Sequence, residues 1–296
     1  MTAVGIGIVA IAALFWYRPA NAVVISKLIG DRGAQIESGI AYGEGPRQKL
    51  DVYRPPAHIK QHDAVIVFLY GGSWTSGSKE LYGFIGQALA TRGFTTVIPD
   101  YRLFPDVKFP SFVEDVAAAY AWTDRTLART CAPRPIIISG HSAGGHMAAL
   151  LALDRTYLAA QSAEVSPPAA IIGLAGPYTF EPTVWPSTKA AFASVAATPD
   201  VPRPITYVRP GAPPFLLLHG LADDLVNLKN TRELAAALKA VGTPVEVETY
   251  ENIGHIGLVL AVSRPLRWRA PVLDRMVAYA GKFTRTPAQL AACTNP

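Results

Sequence analysis

A serine hydroxyl attacks a carbonyl only where a base can take its proton, so the residues around each candidate serine decide what chemistry is open. Gly140-His141-Ser142-Ala143-Gly144 is a G-x-S-x-G pattern that directly follows an apolar run ending at Ser139 and directly precedes a helical pattern over 147–153. That strand-turn-helix setting is what a nucleophile elbow demands. A turn so sharp leaves no room for side chains at the glycines, and it lifts the serine hydroxyl above the strand end. Ser142 is therefore the expected nucleophile.

The base follows by elimination among six histidines. His58 and His62 precede the serine in a polar loop, and His141 and His146 belong to the elbow and its helix. His219 stands at a strand end beside Gly220 and suits a buried structural role. His255, in Asn252-Ile253-Gly254-His255, comes just after the last apolar run, where open α/β sheets place their sites. His255 is thus the expected base. The carboxylate that orients it should end an earlier strand, and the order serine, acid, histidine leaves Asp223, with its neighbour Asp224 as the alternative. An oxyanion needs backbone N–H donors. Tyr70-Gly71-Gly72-Ser73-Trp74 follows an earlier strand and can supply the Gly71 and Gly72 amides, and Ala143, next to the nucleophile, supplies a further one.

Holding these groups together requires strands that end at one edge of a sheet. Apolar, β-branched runs at 64–70, 95–101, 135–140, 170–175, 214–219 and 244–250 have the near-continuous character of strands buried on both faces. Helical patterns at 79–92, 111–130, 142–153, 229–241 and 271–283 fall between or after them. The alternation means an open α/β sheet, and 35–55 reads as an antiparallel pair opening it. The proline-rich link 177–212 is too long for a plain connection and is expected to form a cap-like insertion over the site. With it, Trp74, Tyr178 and Trp185 are the expected substrate-pocket aromatics, the alternative being that the insertion's aromatics pack its own small core.

Composition narrows the class further. Half of the 296 residues are apolar and only 17% are charged, which excludes a disordered chain. The net charge of +5 comes from scattered residues, with Arg264, Arg267 and Arg269 the one cluster, so nucleic acid is not expected as a partner. Cys131 and Cys293 are too few for a disulfide framework or a four-ligand zinc site, although a bridge between them is open in an oxidising compartment. No metal or cofactor is expected. Residues 3–17 carry no charge, and Ala20 and Ala22 supply the small-x-small pattern of signal cleavage. Residues 1–22 are therefore expected to be an export signal or a membrane anchor, with 23–296 as the folded domain.

Taken together, these residues resemble the α/β-hydrolase superfamily, in particular the carboxylesterase branch of hormone-sensitive-lipase-like and feruloyl-esterase-like bacterial enzymes. The resemblance spans about 48–257. It is carried by the stretches 48–55, 99–103 and 109–116, the Tyr70 to Trp74 turn, the Gly140 to Gly145 elbow, His219-Gly220 with Asp223, and Gly254-His255. It implies a three-layer fold with a mostly parallel eight-stranded sheet, helices on both faces and a small insertion over the site. It also implies cofactor-free hydrolysis of small-molecule esters, and it favours Asp223 over Asp224, since the first aspartate after the His-Gly pair is the family's acid. Asp100-Tyr101-Arg102 looks like the family's structural ion-pair motif. One departure is Tyr70, which stands where the family usually has histidine and bears on the geometry of the oxyanion loop. The aromatic insertion points to short-to-medium acyl or aryl esters. Amidase, arylformamidase and peptidase chemistry of the same fold uses the same groups, and a hydrolase-fold binding protein is a further class, less expected because all three catalytic residues are present.

Overall fold

The structure, a computed structural model, describes residues 19–128, 133–162 and 164–285. Residues 3–17, Cys131 and Cys293, on which the anchor and disulfide expectations rest, lie outside them.

Eight strands form one sheet: β1 (Gln35–Ala41), β2 (Lys49–Arg54), β3 (Val65–Leu69), β4 (Thr95–Pro99), β5 (Ile136–His141), β6 (Ala170–Leu174), β7 (Phe215–Gly220) and β8 (Val245–Tyr250). Their order is β1-β2-β4-β3-β5-β6-β7-β8. β1 pairs antiparallel with β2 and β2 with β4, and all other pairings are parallel. Every residue of β3 to β7 is buried, as strands covered on both faces must be. β1 and β8 are the edges. β8 alternates Val and Glu, and its Glu246 and Glu248 pair with Arg275, which charges the open edge against further strand addition.

The helices are α1 (Pro19–Ile29), α2 (Gly83–Ala90), α3 (Ser111–Thr123), α4 (Ala143–Leu153), α5 (Thr156–Gln161), α6 (Lys229–Ala240), α7 (His255–Leu260) and α8 (Val272–Gly281). They cover both faces: α1, α2 and α8 pack as one set, and α3, α4 and α5 as another. α4, which starts directly after Ser142, is buried along its whole length, so the elbow is backed by core rather than solvent. The alanine pair that reads as a cleavage pattern, Ala20 and Ala22, lies within α1.

Two helices differ from expectation. The segment read as 79–92 is helical only from Gly83, because the Lys79 amide donates to Asp100 (2.8 Å) and its ammonium pairs with buried Asp51 (3.0 Å), which holds residues 79–82 outside a helix. The helix read as 111–130 stays α-helical to Thr123 and then widens into a π-helical turn over Asp124–Ala128. The 177–212 link carries short 3-10 turns, Ala193–Val195 and Pro204–Tyr207. It is stitched to the body by His146, whose Nε2–H donates to Pro202 C=O (2.6 Å), and by the Phe109 amide donating to Ala191 C=O (2.8 Å). Burial pushes the His146 pKa down to about 4, so its ring is neutral at that contact.

Candidate active site

Ser142 occupies the single residue between β5 and α4, with φ 55° and ψ −122°. A non-glycine residue there costs on the order of 1–3 kcal/mol, and it persists because neighbours over-determine it. The Ser142 amide donates to Leu174 C=O (2.9 Å), and its carbonyl accepts from the His146 amide (3.0 Å). A Cβ on Gly144 would come within 2.1 Å of Leu69 C=O, so this turn of α4 lies flush on β3 and only glycine fits. The serine itself is half-buried.

Asp223 follows the carboxyl end of β7, and His255 opens α7 just beyond β8. Adjacent strand ends bring the two loops together, and backbone bonds lock them: Leu221 N–H to Tyr250 C=O (2.9 Å) and Ala222 N–H to Ile253 C=O (3.0 Å). Across this seam His255 Nδ1 lies 2.7 Å from Asp223 Oδ2. Oδ1 accepts the Leu225 amide (3.0 Å) and the Val226 amide (2.8 Å). His219 Nε2 comes within 3.4 Å of Oδ2 while donating to Val226 C=O (2.9 Å), and its Nδ1 faces the Thr231 hydroxyl (2.8 Å). Burial alone would raise the Asp223 pKa, but the hydrogen bonds from His219, His255 and the Val226 amide hold it far below the usual carboxylate range. The anionic form is thus favoured, and the carboxylate lies against one of the two imidazole nitrogens of His255. Asp224 is exposed; the acid that meets the histidine is Asp223.

The loop after β3 runs beside the elbow. A Cβ built on Gly71 would lie 3.0 Å from Ser142 Cβ and 3.0 Å from His141 Nδ1. Gly72 takes φ 136°, and a Cβ there would meet Ser76 C=O at 2.1 Å, so the turn is closed to every other residue. Ser73 and Trp74 also have positive φ, at 52° and 59°. The Gly71 backbone lies beside the Tyr82 hydroxyl as well as beside Ser142. Ala143 sits where expected, next to the nucleophile at the start of α4.

Tyr70, the departure from the family pattern, braces this loop. Its hydroxyl donates to Asp100 (3.0 Å) and accepts from Arg47 Nη2 (2.8 Å), while Arg47 also donates to the Tyr101 and Gly77 carbonyls (both 2.8 Å). The Tyr101 hydroxyl donates to Tyr70 C=O (2.9 Å), and the two rings stack 4.4 Å apart. Arg102 forms a two-pronged pair with Asp115, so all of Asp100, Tyr101 and Arg102 serve structure.

Of the three expected pocket aromatics, Trp74 and Tyr178 lie in the interior, at 2% and 0% exposure, and only Trp185, at 56%, reaches solvent. Phe180 links them, 6.2 Å from Trp74 and stacked on it, and 6.4 Å from Trp185. The aromatic ladder thus runs from the loop beside Ser142 out to the insertion. Arg47, Tyr82 and Phe180 were not singled out by sequence reasoning as functional; only Phe180 had a signal, its place among the insertion's aromatics. Among the described residues no group of three His, Cys, Asp or Glu is arranged to hold a metal ion.

Comparison with known proteins places the chain among esterases by sequence similarity. Esterase LipC of Mycobacterium tuberculosis is 30% identical over 249 residues, covering 77% of this chain and 61% of the relative. Esterase LipQ of the same organism is 31% identical, covering 90% and 68%. Isoprenylcysteine alpha-carbonyl methylesterase ICME of Arabidopsis thaliana is 29% identical, covering 79% and 59%. The chain thus spans about three fifths of the length of LipC and ICME. The solved structure of Esterase B from Lactobacillus rhamnosis superposes with a TM-score of 0.71 at 19% identity, covering 100% of both chains, which speaks to fold alone. Residues 50–238 match the BD-FAE family, and with these relatives and this fold the chain belongs to that family, among the α/β-hydrolase carboxylesterases.

Proposed function

We propose that this chain is a serine carboxylic-ester hydrolase acting on short-to-medium acyl or aryl esters. The observation that carries the reading is the buried Asp223–His255 pair, 2.7 Å apart, at the same sheet edge as a serine on a strained elbow. Ser142 Oγ attacks the ester carbonyl while His255 Nε2 takes its proton and then passes it to the leaving alcohol. Asp223 stabilises the imidazolium formed in between. The Gly72 and Ala143 amides bind the oxyanion. Water then repeats the sequence on the acyl-enzyme and regenerates Ser142. Partly exposed Phe180 and exposed Trp185 of the insertion support an apolar or aromatic substrate group. The test is hydrolysis of p-nitrophenyl esters from acetate to palmitate, with Ser142→Ala as control and fluorophosphonate labelling followed by intact mass. Serine-dependent turnover that falls beyond medium chains is expected. No turnover on any ester, together with no adduct on Ser142, refutes the reading and favours a binding protein.

The same reading includes membrane association through residues 3–17. Supporting it, α1 exposes Val24 and Leu28 at 57% and 65%, and is tied to the 264–269 segment through Arg264 N–H to Ile29 C=O (2.9 Å) and Arg267 to Asp31 (2.7 Å). That segment presents Trp268 at 75% exposure between Arg267 and Arg269, the aromatic and basic mix that suits an anionic lipid interface. The full chain is expected to co-sediment with phosphatidylglycerol vesicles, and its remaining in the supernatant refutes the association.

A further inference from the structure

Two buried polar side chains beside the site have no part in the chemistry just proposed, and the hydrogen bonds they make have only one consistent set of directions. His141 Nε2 lies 3.1 Å from the backbone carbonyl oxygen of His255, which can only accept, so Nε2 carries the hydrogen. The ring is 1% exposed with the His255 ring 4.6 Å away, and burial first, then that neighbour, holds its pKa well below the usual value. A neutral ring protonated at Nε2 has a lone pair on Nδ1. The Tyr82 hydroxyl, 3.1 Å from Nδ1, must therefore donate to it. Its oxygen is then an acceptor, and the amide that faces it is that of Gly71. From the Gly71 backbone beside Tyr82 Oη, the path runs through Tyr82 O–H to His141 Nδ1 and through His141 Nε2–H to His255 C=O. It begins in the loop after β3, passes the residue before the nucleophile and ends on the backbone of the base.

We propose that Tyr82 and His141 are positioning residues that form a hydrogen-bonded strut between the oxyanion loop and His255, setting the distance between the oxyanion donors and the base across Ser142. This rests on the triad reading above. Neither side chain is given a part in bond making or breaking; both act by fixing the backbone at Gly71 and at His255. Gly71 packs against His141, where a Cβ would lie 3.0 Å from Nδ1, which gives the strut no slack. Such an element matters to the transition state more than to substrate capture, because preorganised donors act on charge that develops during reaction.

The test uses the full chain with Tyr82→Phe, His141→Gln, His141→Leu and the double variant Tyr82→Phe/His141→Gln. Tyr82 packs against Phe68, Tyr70 and Phe84, so the Phe variant keeps the ring and loses only the hydroxyl. Removing an oxyanion donor outright costs about 10²–10³ in turnover, and a loosened one should cost less. Tyr82→Phe is expected to lower kcat on p-nitrophenyl butyrate about tenfold or more with KM within about twofold. His141→Leu should lose about 100-fold, and His141→Gln, whose amide still donates toward His255 C=O, should recover most of that. The double variant should cost no more than the worse single, as for groups acting as one unit. The strut is refuted if Tyr82→Phe keeps kcat within twofold, if its loss lies in KM, or if the two changes simply multiply. Fluorophosphonate labelling of the wild-type chain separates the two levels: a labelled Ser142 with an indifferent Tyr82→Phe refutes the strut alone, and an unlabelled Ser142 removes the triad reading and the strut with it.

Discussion

Replacing Asp223 by asparagine changes one atom in three and, from the contacts around it, should reverse the chemistry of His255. Asp223 Oδ1 accepts two backbone amides, Leu225 at 3.0 Å and Val226 at 2.8 Å. An asparagine NH₂ group cannot occupy that position, since it would set donors against donors, so its oxygen takes the Oδ1 place and its nitrogen the Oδ2 place. That nitrogen then faces His255 Nδ1 at about the 2.7 Å now held by the carboxylate. The imidazole meets it by presenting a lone pair at Nδ1, which moves its hydrogen to Nε2, the nitrogen that must accept the serine proton. The histidine is then held in the wrong tautomer, for which a loss of about 10⁴ in kcat is the expected scale. The assay is steady-state hydrolysis of p-nitrophenyl butyrate by Asp223→Asn and wild-type chains, with near-UV circular dichroism to show that both are folded. Because the Asp223 carboxyl is held far below the usual range in the native chain, its charge, and the loss on removing it, should persist across the whole neutral and mildly acidic pH range. A folded Asp223→Asn variant within tenfold of wild type refutes the assignment of Asp223 and the tautomer argument together, and Asp224→Asn losing more than Asp223→Asn transfers the role to its neighbour.

Other substitutions separate loop geometry from stability. Gly72→Ala must give up φ 136° or drive its Cβ into Ser76 C=O, so kcat per folded molecule should fall about 10²–10³-fold, read as single-turnover acylation, a loss beyond what the accompanying drop in Tm explains. Asp115→Ala should do the opposite. It removes a carboxylate that accepts from the Gln48 side chain and from the backbone and guanidinium of Arg102, and since the Arg102 side chain is 36% exposed the cost should be about 2–3 kcal/mol, below that of a fully buried pair. In a chain of this size that is a drop in Tm of about 3–5 °C, with kcat per folded molecule within twofold. Tyr70→Phe strips the hydroxyl from between Arg47 and Asp100 and should cost about 1–3 kcal/mol by urea unfolding, with kcat reduced less than tenfold because the ring still stacks on Tyr101.

How far each feature was legible in the sequence follows from whether its cause is local. The runs that became β3 to β7 could be read to within a residue or two because a strand covered on both faces carries no Asp, Glu, Lys or Arg along its length and few other polar residues, and that pattern is visible in the chain itself. The elbow was legible for a related reason: the approach of Gly144 to Leu69 C=O excludes every side chain, so contact with a neighbouring strand leaves a mark at fixed spacing. The start of the 79–92 helix pattern was misread because what holds Lys79 out of the helix, Asp100 and Asp51, is 21 and 28 positions away, and a helical hydrophobic pattern says nothing about distant carboxylates. Trp74 and Tyr178 were read as pocket because an aromatic side chain carries the same signal in a core as in a cleft; only the packing of Trp74 between Phe112, Phe180 and Phe192 distinguishes the two. The Tyr82–His141 contact is the limiting case, joining residues 59 apart with neither a forbidden side chain nor a required spacing. Steric exclusion writes itself into the local pattern, whereas a hydrogen bond between two side chains exists only once the strand order has brought them together. Positioning groups of this second kind are therefore where the geometry of this site adds most to its sequence, and where related chains with the same elbow and triad have the most freedom to differ.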